Sequence, residues 1–168
     1  MRIPLRLLAL LWLGLPVAAP AQAGEIVRTP IPGSDFPIAA AVTVPPGASL
    51  TYLSGALPAV AKPDAPKGSV ETYGDTEAQT LSVLSKLEAV LKAQGLGFSD
   101  VVQAHVYLVG DPGKGGEIDF AGLQRAWSRY FGTQAQPNKP ARSTVKVAGL
   151  VLPGALVEIE FVAAKVVK

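Results

Sequence analysis

The stretch from Pro140 to Ala164 constrains this chain most. It holds two alternating segments, Ala141–Ala148 and Leu156–Ala164, around the turn pair Pro153-Gly154. A strand points successive side chains to opposite faces. Arg142, Thr144 and Lys146 therefore share one face, and Glu158 and Glu160 share a face opposite Ile159 and Phe161. Antiparallel pairing around the turn is expected to bring a guanidinium, a hydroxyl and two carboxylates together. Two readings of that cluster stand open. One is a cross-strand ladder, Lys146 with Glu158 and Arg142 with Glu160. The other is a site, in which an arginine fork binds a carboxylate ligand and a glutamate directs water.

The rest of the chain supplies the layer such strands need. Glu25–Pro37 reads as an extended arm with at most a short strand, and Ala39–Val44 with Ser49–Leu53 reads as a hairpin around Pro45-Pro46-Gly47. Pro58–Gly74 reads as a surface loop. Thr76-Glu77-Ala78-Gln79 fits a capping box, after which Leu84, Leu87 and Leu91 follow helical spacing, widened by Leu81, Val83 and Val90, up to Gly95. Val101–Val109 reads as a strand with Val102, Ala104, Val106 and Leu108 on one face and Gln103, His105 and Tyr107 on the other. A second helix is expected from Asp119 to Phe131, with Phe120, Leu123, Trp127 and Tyr130 on one side and Gly132 beyond its end. The order strand, strand, helix, strand, helix, strand, strand predicts an α+β fold, a mixed sheet covered on one face by two helices. The uncovered face predicts burial against other subunits.

Residues 1–23 read as a secretory signal peptide: Arg2 and Arg6, the apolar run Leu7–Leu13, and the ending Ala21-Gln22-Ala23. Pro4, Gly14, Pro16 and Pro20 keep the apolar run shorter than the ~20 residues of a membrane span. Residues 24–168 are then a single domain, periplasmic or secreted, with no membrane contact after cleavage. Without residues 1–23 the 15 basic residues become 13, equal to the 13 acidic ones. A neutral chain lacks the cationic excess of a phosphate-backbone binder, so no nucleic acid is expected. There is no Cys and one His, which excludes disulfides, a thiolate nucleophile and multi-histidine metal sites. No metal is expected.

Pro140-Ala141-Arg142-Ser143-Thr144-Val145, Val147-Ala148-Gly149-Leu150 and Pro153-Gly154-Ala155-Leu156-Val157-Glu158-Ile159-Glu160 resemble the C-terminal signature of the RidA (YjgF) family. The resemblance continues in Tyr52-Leu53-Ser54-Gly55, in Gln79, in Asp100-Val101-Val102 and in Asp119-Phe120, and it covers roughly residues 30–165. It implies a chorismate-mutase-like two-layer fold and a homotrimer whose sheets form a central barrel, with sites in inter-subunit clefts. It further implies hydrolysis of reactive 2-imino acids and their enamine tautomers to 2-oxo acids and ammonia, with no cofactor. By the same resemblance Arg142 binds the substrate carboxylate, Glu158 positions water, Gly55 offers backbone contacts and Thr144 lines the pocket where many relatives carry Cys. Two positions depart from the pattern: Ile38 stands where many relatives have Tyr, and Gln124 where they have Asn.

Other motifs carry less. A lone His on a strand is more often an interface or core residue than a base, so His105 is assigned no catalytic role. Gly113-Lys114-Gly115-Gly116 is too short for a phosphate loop. Asp64, Asp75, Asp111 and Asp119 read as caps. Two further functions compete with deamination: a non-catalytic trimer that binds small carboxylates through Arg142, and an endoribonuclease. The neutral charge and the lack of a basic-aromatic stripe count against the second.

Overall fold

The computed structural model describes residues 24–166; the expected signal segment lies outside the described residues. Eight elements follow in the order β1 (Val27–Pro30), β2 (Ala39–Thr43), β3 (Ala48–Ala56), α1 (Thr76–Ala93), β4 (Val101–Val109), α2 (Phe120–Trp127), β5 (Ala141–Val147) and β6 (Val157–Val166). The main sheet has the strand order β3-β6-β4-β5, with β4 and β5 parallel and the other neighbours antiparallel. Both helices pack on one face of it. This is the expected α+β architecture.

Periodicity explains the core. On α1, Val83, Leu84, Leu87 and Leu91 are buried, and on β4 Ala104, Val106 and Leu108 face them. From β6, Val157, Ile159, Phe161 and Ala163 complete the layer. Leu123 and Trp127 seal the α2 side, and Phe131 stacks on Trp127 at 4.3 Å. Burying each large side chain contributes roughly 1.5–3 kcal/mol, which is why the short helix α2 holds its place. Val90, expected in the α1 stripe, is instead 48% exposed. Among the described residues no helix is long and apolar enough to cross a membrane.

Three local expectations are corrected. β2 and β3 do not form a hairpin: β2 pairs with β1, and β3 pairs with β6. Pro45-Pro46-Gly47 carries the chain from a separate two-stranded ribbon into the sheet, a choice made by tertiary pairing. The capping box at Thr76 is absent, because Asp75 is the N-cap and its carboxylate accepts from the Ala78 N–H at 2.9 Å. Gln79 is released for another task. Fully buried, it donates to the carbonyls of Gly74 (2.8 Å) and Gly154 (3.3 Å) and accepts from the Leu156 N–H (2.7 Å). That amide pins the turn before β6 to the start of α1. The third correction concerns β5 and β6, which are separated by β4.

Asp111 and Asp119 are caps as expected, accepting from Gly113 and Gly122. Lys114 lies in a short 3-10 turn, not a phosphate loop.

Candidate functional site

Arg142 stands on β5 opposite Ala104, and Thr144 opposite Val106. Those β4 residues are fully buried toward the helices, so Arg142 and Thr144 also face the helix layer. There the guanidinium meets three rings: Trp127 with its centroid at 4.6 Å, Phe36 at 5.6 Å and Phe120 at 5.8 Å. Phe36 and Phe120 lie parallel, 6.3 Å apart. Cation–π attraction holds the charge in an apolar setting. Burial nevertheless lowers its pKa from the ordinary arginine value to about 10, so it remains a cation at neutral pH.

The cage leaves polar atoms open. Arg142 Nη1, Thr144 Oγ1 and Gln124 Oε1 are all buried without a hydrogen-bond partner. Buried polar groups are nearly always paired, because leaving one unpaired costs about 1–3 kcal/mol. On α2, Gln124 shares a helix face with Phe120 and Trp127, whose rings meet the guanidinium. A cation and a hydroxyl from β5 with an amide oxygen from that face describe a receptor for a carboxylate that carries a neighbouring polar group. Ile38 is bracketed by anchors: the Pro37 carbonyl accepts from Trp127 Nε1 at 2.9 Å, and the Ala39 N–H donates to the Pro140 carbonyl at 2.8 Å. The ring over the guanidinium belongs to Phe36, two residues earlier.

Glu158 belongs to the other side of the sheet. It pairs in register with Tyr107, and Glu160 with His105, on the face away from the helices. Within one chain the expected meeting of Arg142 with Glu158 and Glu160 therefore does not occur. The salt-bridge ladder is absent too, since β4 intervenes and the faces are opposed. Lys146 instead reaches Glu117 at 3.3 Å, and Glu160 accepts from Tyr107 at 3.1 Å and pairs with His105 at 2.7 Å. Gly55 does stand at Glu158. A Cβ at position 55 would lie 2.0 Å from Glu158 Oε1, so the missing side chain is what admits the carboxylate.

The site residues thus form two half-sites. One is Arg142, Thr144 and Gln124 with their aromatic cage; the other is Glu158 with Gly55. The three rings were the part that sequence reasoning missed. Phe120 and Trp127 stood out as a helix face, but nothing in their spacing shows that a cation packs between them and Phe36. A separate groove of about 570 Å³, lined by Gly68, Val70, Glu71, Gly110, Asp111 and Leu156 among others, has no cationic side chain in its wall and cannot serve as the carboxylate receptor. Among the described residues no group of three or more His, Cys, Asp or Glu could hold a metal ion.

Residues 37–165 match the family described as Endoribonuclease L-PSP. The protein DfrA of Myxococcus xanthus is 39% identical over 127 residues, covering 76% of this chain and 84% of that protein. The chloroplastic Reactive Intermediate Deaminase A of Arabidopsis thaliana is 34% identical over 115 residues, or 68% of this chain and 53% of the plant protein. In three dimensions, the Rid-family protein YyfB of Yersinia pestis, of unknown function, superposes with a TM-score of 0.61 at 23% identity, covering 84% of this chain and 98% of that one, a likeness of fold. The Arg142 and Glu158 segments lie inside the matched region, and the two-layer architecture agrees. The chain belongs to the Endoribonuclease L-PSP family, which is the RidA (YjgF) family its C-terminal signature resembles.

Proposed function

We propose that this protein hydrolyses reactive 2-imino acids and their enamine tautomers to 2-oxo acids and ammonia. The carrying observation is the half-buried Arg142 guanidinium under three rings, with Nη1 buried and unpaired, together with unpartnered Thr144 Oγ1 on the same strand and Gln124 Oε1 on α2. Arg142 binds the substrate carboxylate, and Glu158 accepts a proton from water as its oxygen attacks the imine carbon. Glu158 returns that proton to the imine nitrogen, giving a carbinolamine; its hydroxyl proton then passes to nitrogen as the C=O forms, the C–N bond breaks and ammonia leaves. An imine carbon is already electrophilic, so orientation, one fixed cation and one water-directing carboxylate suffice.

The proposal includes a homotrimer, exported after cleavage of residues 1–23. Arg142 and Glu158 lie on opposite faces of one sheet, so a working site takes its arginine from one subunit and its glutamate from the next. The plant relative's name, reactive intermediate deaminase, supports the chemistry.

The test generates imino acids in situ with an amino-acid oxidase and traps residual imine with semicarbazide. Wild type should deplete the imine and Arg142→Ala should not. Equal depletion by both would overturn the site. A second reading, a non-catalytic carboxylate binder, draws on the same separation, because the arginine half-site is complete without Glu158. Glu158→Gln separates the two: it abolishes turnover under the first reading, whereas under the second no turnover exists to lose and 2-oxo acid binding is unchanged. Cleavage of RNA by the purified chain, lost in Arg142→Ala, would favour the endoribonuclease instead.

A further inference from the structure

The face that carries Glu158 holds a second carboxylate, and the two are treated differently. Glu160 lies two residues along β6, about 6.6 Å away at strand spacing. Its Oε1 is hydrogen-bonded to both His105 Nδ1 (2.7 Å) and the Tyr107 hydroxyl (3.1 Å). Gln103 Nε2 contacts the remaining ring nitrogen of His105 at 3.0 Å and fixes the ring plane. Tyr107 is the register partner of Glu158, yet its hydroxyl reaches diagonally to Glu160. Among the described residues no side chain donates to Glu158, whose carboxylate lies against the bare backbone of Gly55.

We propose that His105 and Tyr107 are positioning residues: by clamping Glu160 they leave Glu158 as the one carboxylate of this face free to take a proton from water. This rests on the deaminase reading of Glu158. Glu158 and Glu160 point to the same side of β6, so without the clamp both carboxylates would compete for the same water. The clamp fixes Glu160 as an acceptor, its Oε1 occupied by both His105 and Tyr107. The Tyr107 hydroxyl is held protonated by its bond to Glu160 and by the charge of both carboxylates. The titratable groups on this face are His105 and Tyr107 from β4, Glu158 and Glu160 from β6, and Tyr52 from β3; β5 adds Ser143 and Val145, which do not titrate.

The test compares wild type with Tyr107→Phe, His105→Leu and His105→Gln, each checked for melting temperature and assembly. In the imine assay the first two should lower kcat about three- to tenfold with KM unchanged, and His105→Gln, which keeps an amide donor, should recover most of the loss. Side-chain carbon NMR of Glu158 reads the clamp without turnover: its carboxyl resonance should move in His105→Leu, where Glu160 loses a partner, and return toward wild type in His105→Gln. An unmoved resonance overturns the clamp even if the enzyme is active. A moved resonance supports it even if wild type proves not to be a deaminase, in which case only the reaction assignment fails.

Discussion

At the scale of single residues, Arg142 is a charge the fold keeps at a cost. Burial lowers its pKa from the ordinary arginine value to about 10, so the unfolded chain holds that proton more tightly than the folded one. The penalty is therefore full below about pH 10 and fades as the pH rises from there toward the ordinary arginine value. Arg142→Met keeps an elongated apolar side chain in the aromatic cage and removes the buried charge. Its ligand-free melting temperature should rise by about 2–6 °C, while stabilisation by a 2-oxo acid disappears. Scanning calorimetry with and without ligand checks both, and a lower ligand-free value would mean that cation–π attraction outweighs burial. Gly55→Ala makes the opposite trade. The new Cβ displaces only the flexible end of Glu158, so stability should fall by less than about 1 kcal/mol while kcat drops tenfold or more.

At the scale of elements, one buried amide joins three segments. Gln79→Leu fills similar space but orphans the Leu156 N–H and relieves the Gly74 and Gly154 carbonyls of their donor. A loss of about 3 kcal/mol or more is expected in urea unfolding, against less than about 1 kcal/mol if water replaces the amide. The elements themselves were legible: α1 from its leucine spacing, β4 from the alternation of Val102 to Leu108, and β5 and β6 from theirs. Which strand lies beside which was not. The Pro-Gly turn suggested neighbours, but β4 runs parallel to β5 and inserts between β5 and β6, a choice made by packing both helices on one face. The C-terminal signature named the candidate site residues, and their geometry was illegible. Alternation shows that Arg142 and Thr144 share a face, and that Glu158 and Glu160 do, but not whether it is the same face. Only the β4 register decides that. The role of Gln79 was hidden for a similar reason: its position three residues after Thr76 imitates a cap, while two of its three partners lie 75 and 77 residues away.

At the scale of the whole molecule, the sheet face away from the helices presents Tyr52 at 74% exposure and Val145 at 46%, around the clamped glutamate. The proposed trimer buries this face. Tyr52→Asp with Val145→Asp should convert the trimer to monomers by light scattering, keep the helical circular dichroism, and abolish deamination although Arg142 and Glu158 are both intact. An active monomer would refute the shared site. The opposed placement of those two residues also has a genetic consequence. A subunit with a defective arginine still offers a sound glutamate, and the converse holds for a subunit with a defective glutamate. Each variant alone is expected to be inactive, yet in the proposed trimer every mixed assembly of the two contains one junction where an intact arginine meets an intact glutamate. Co-expressed in equal amounts and mixing at random, Arg142→Ala and Glu158→Gln should restore about one quarter of wild-type activity. Two null alleles of one gene would then complement each other.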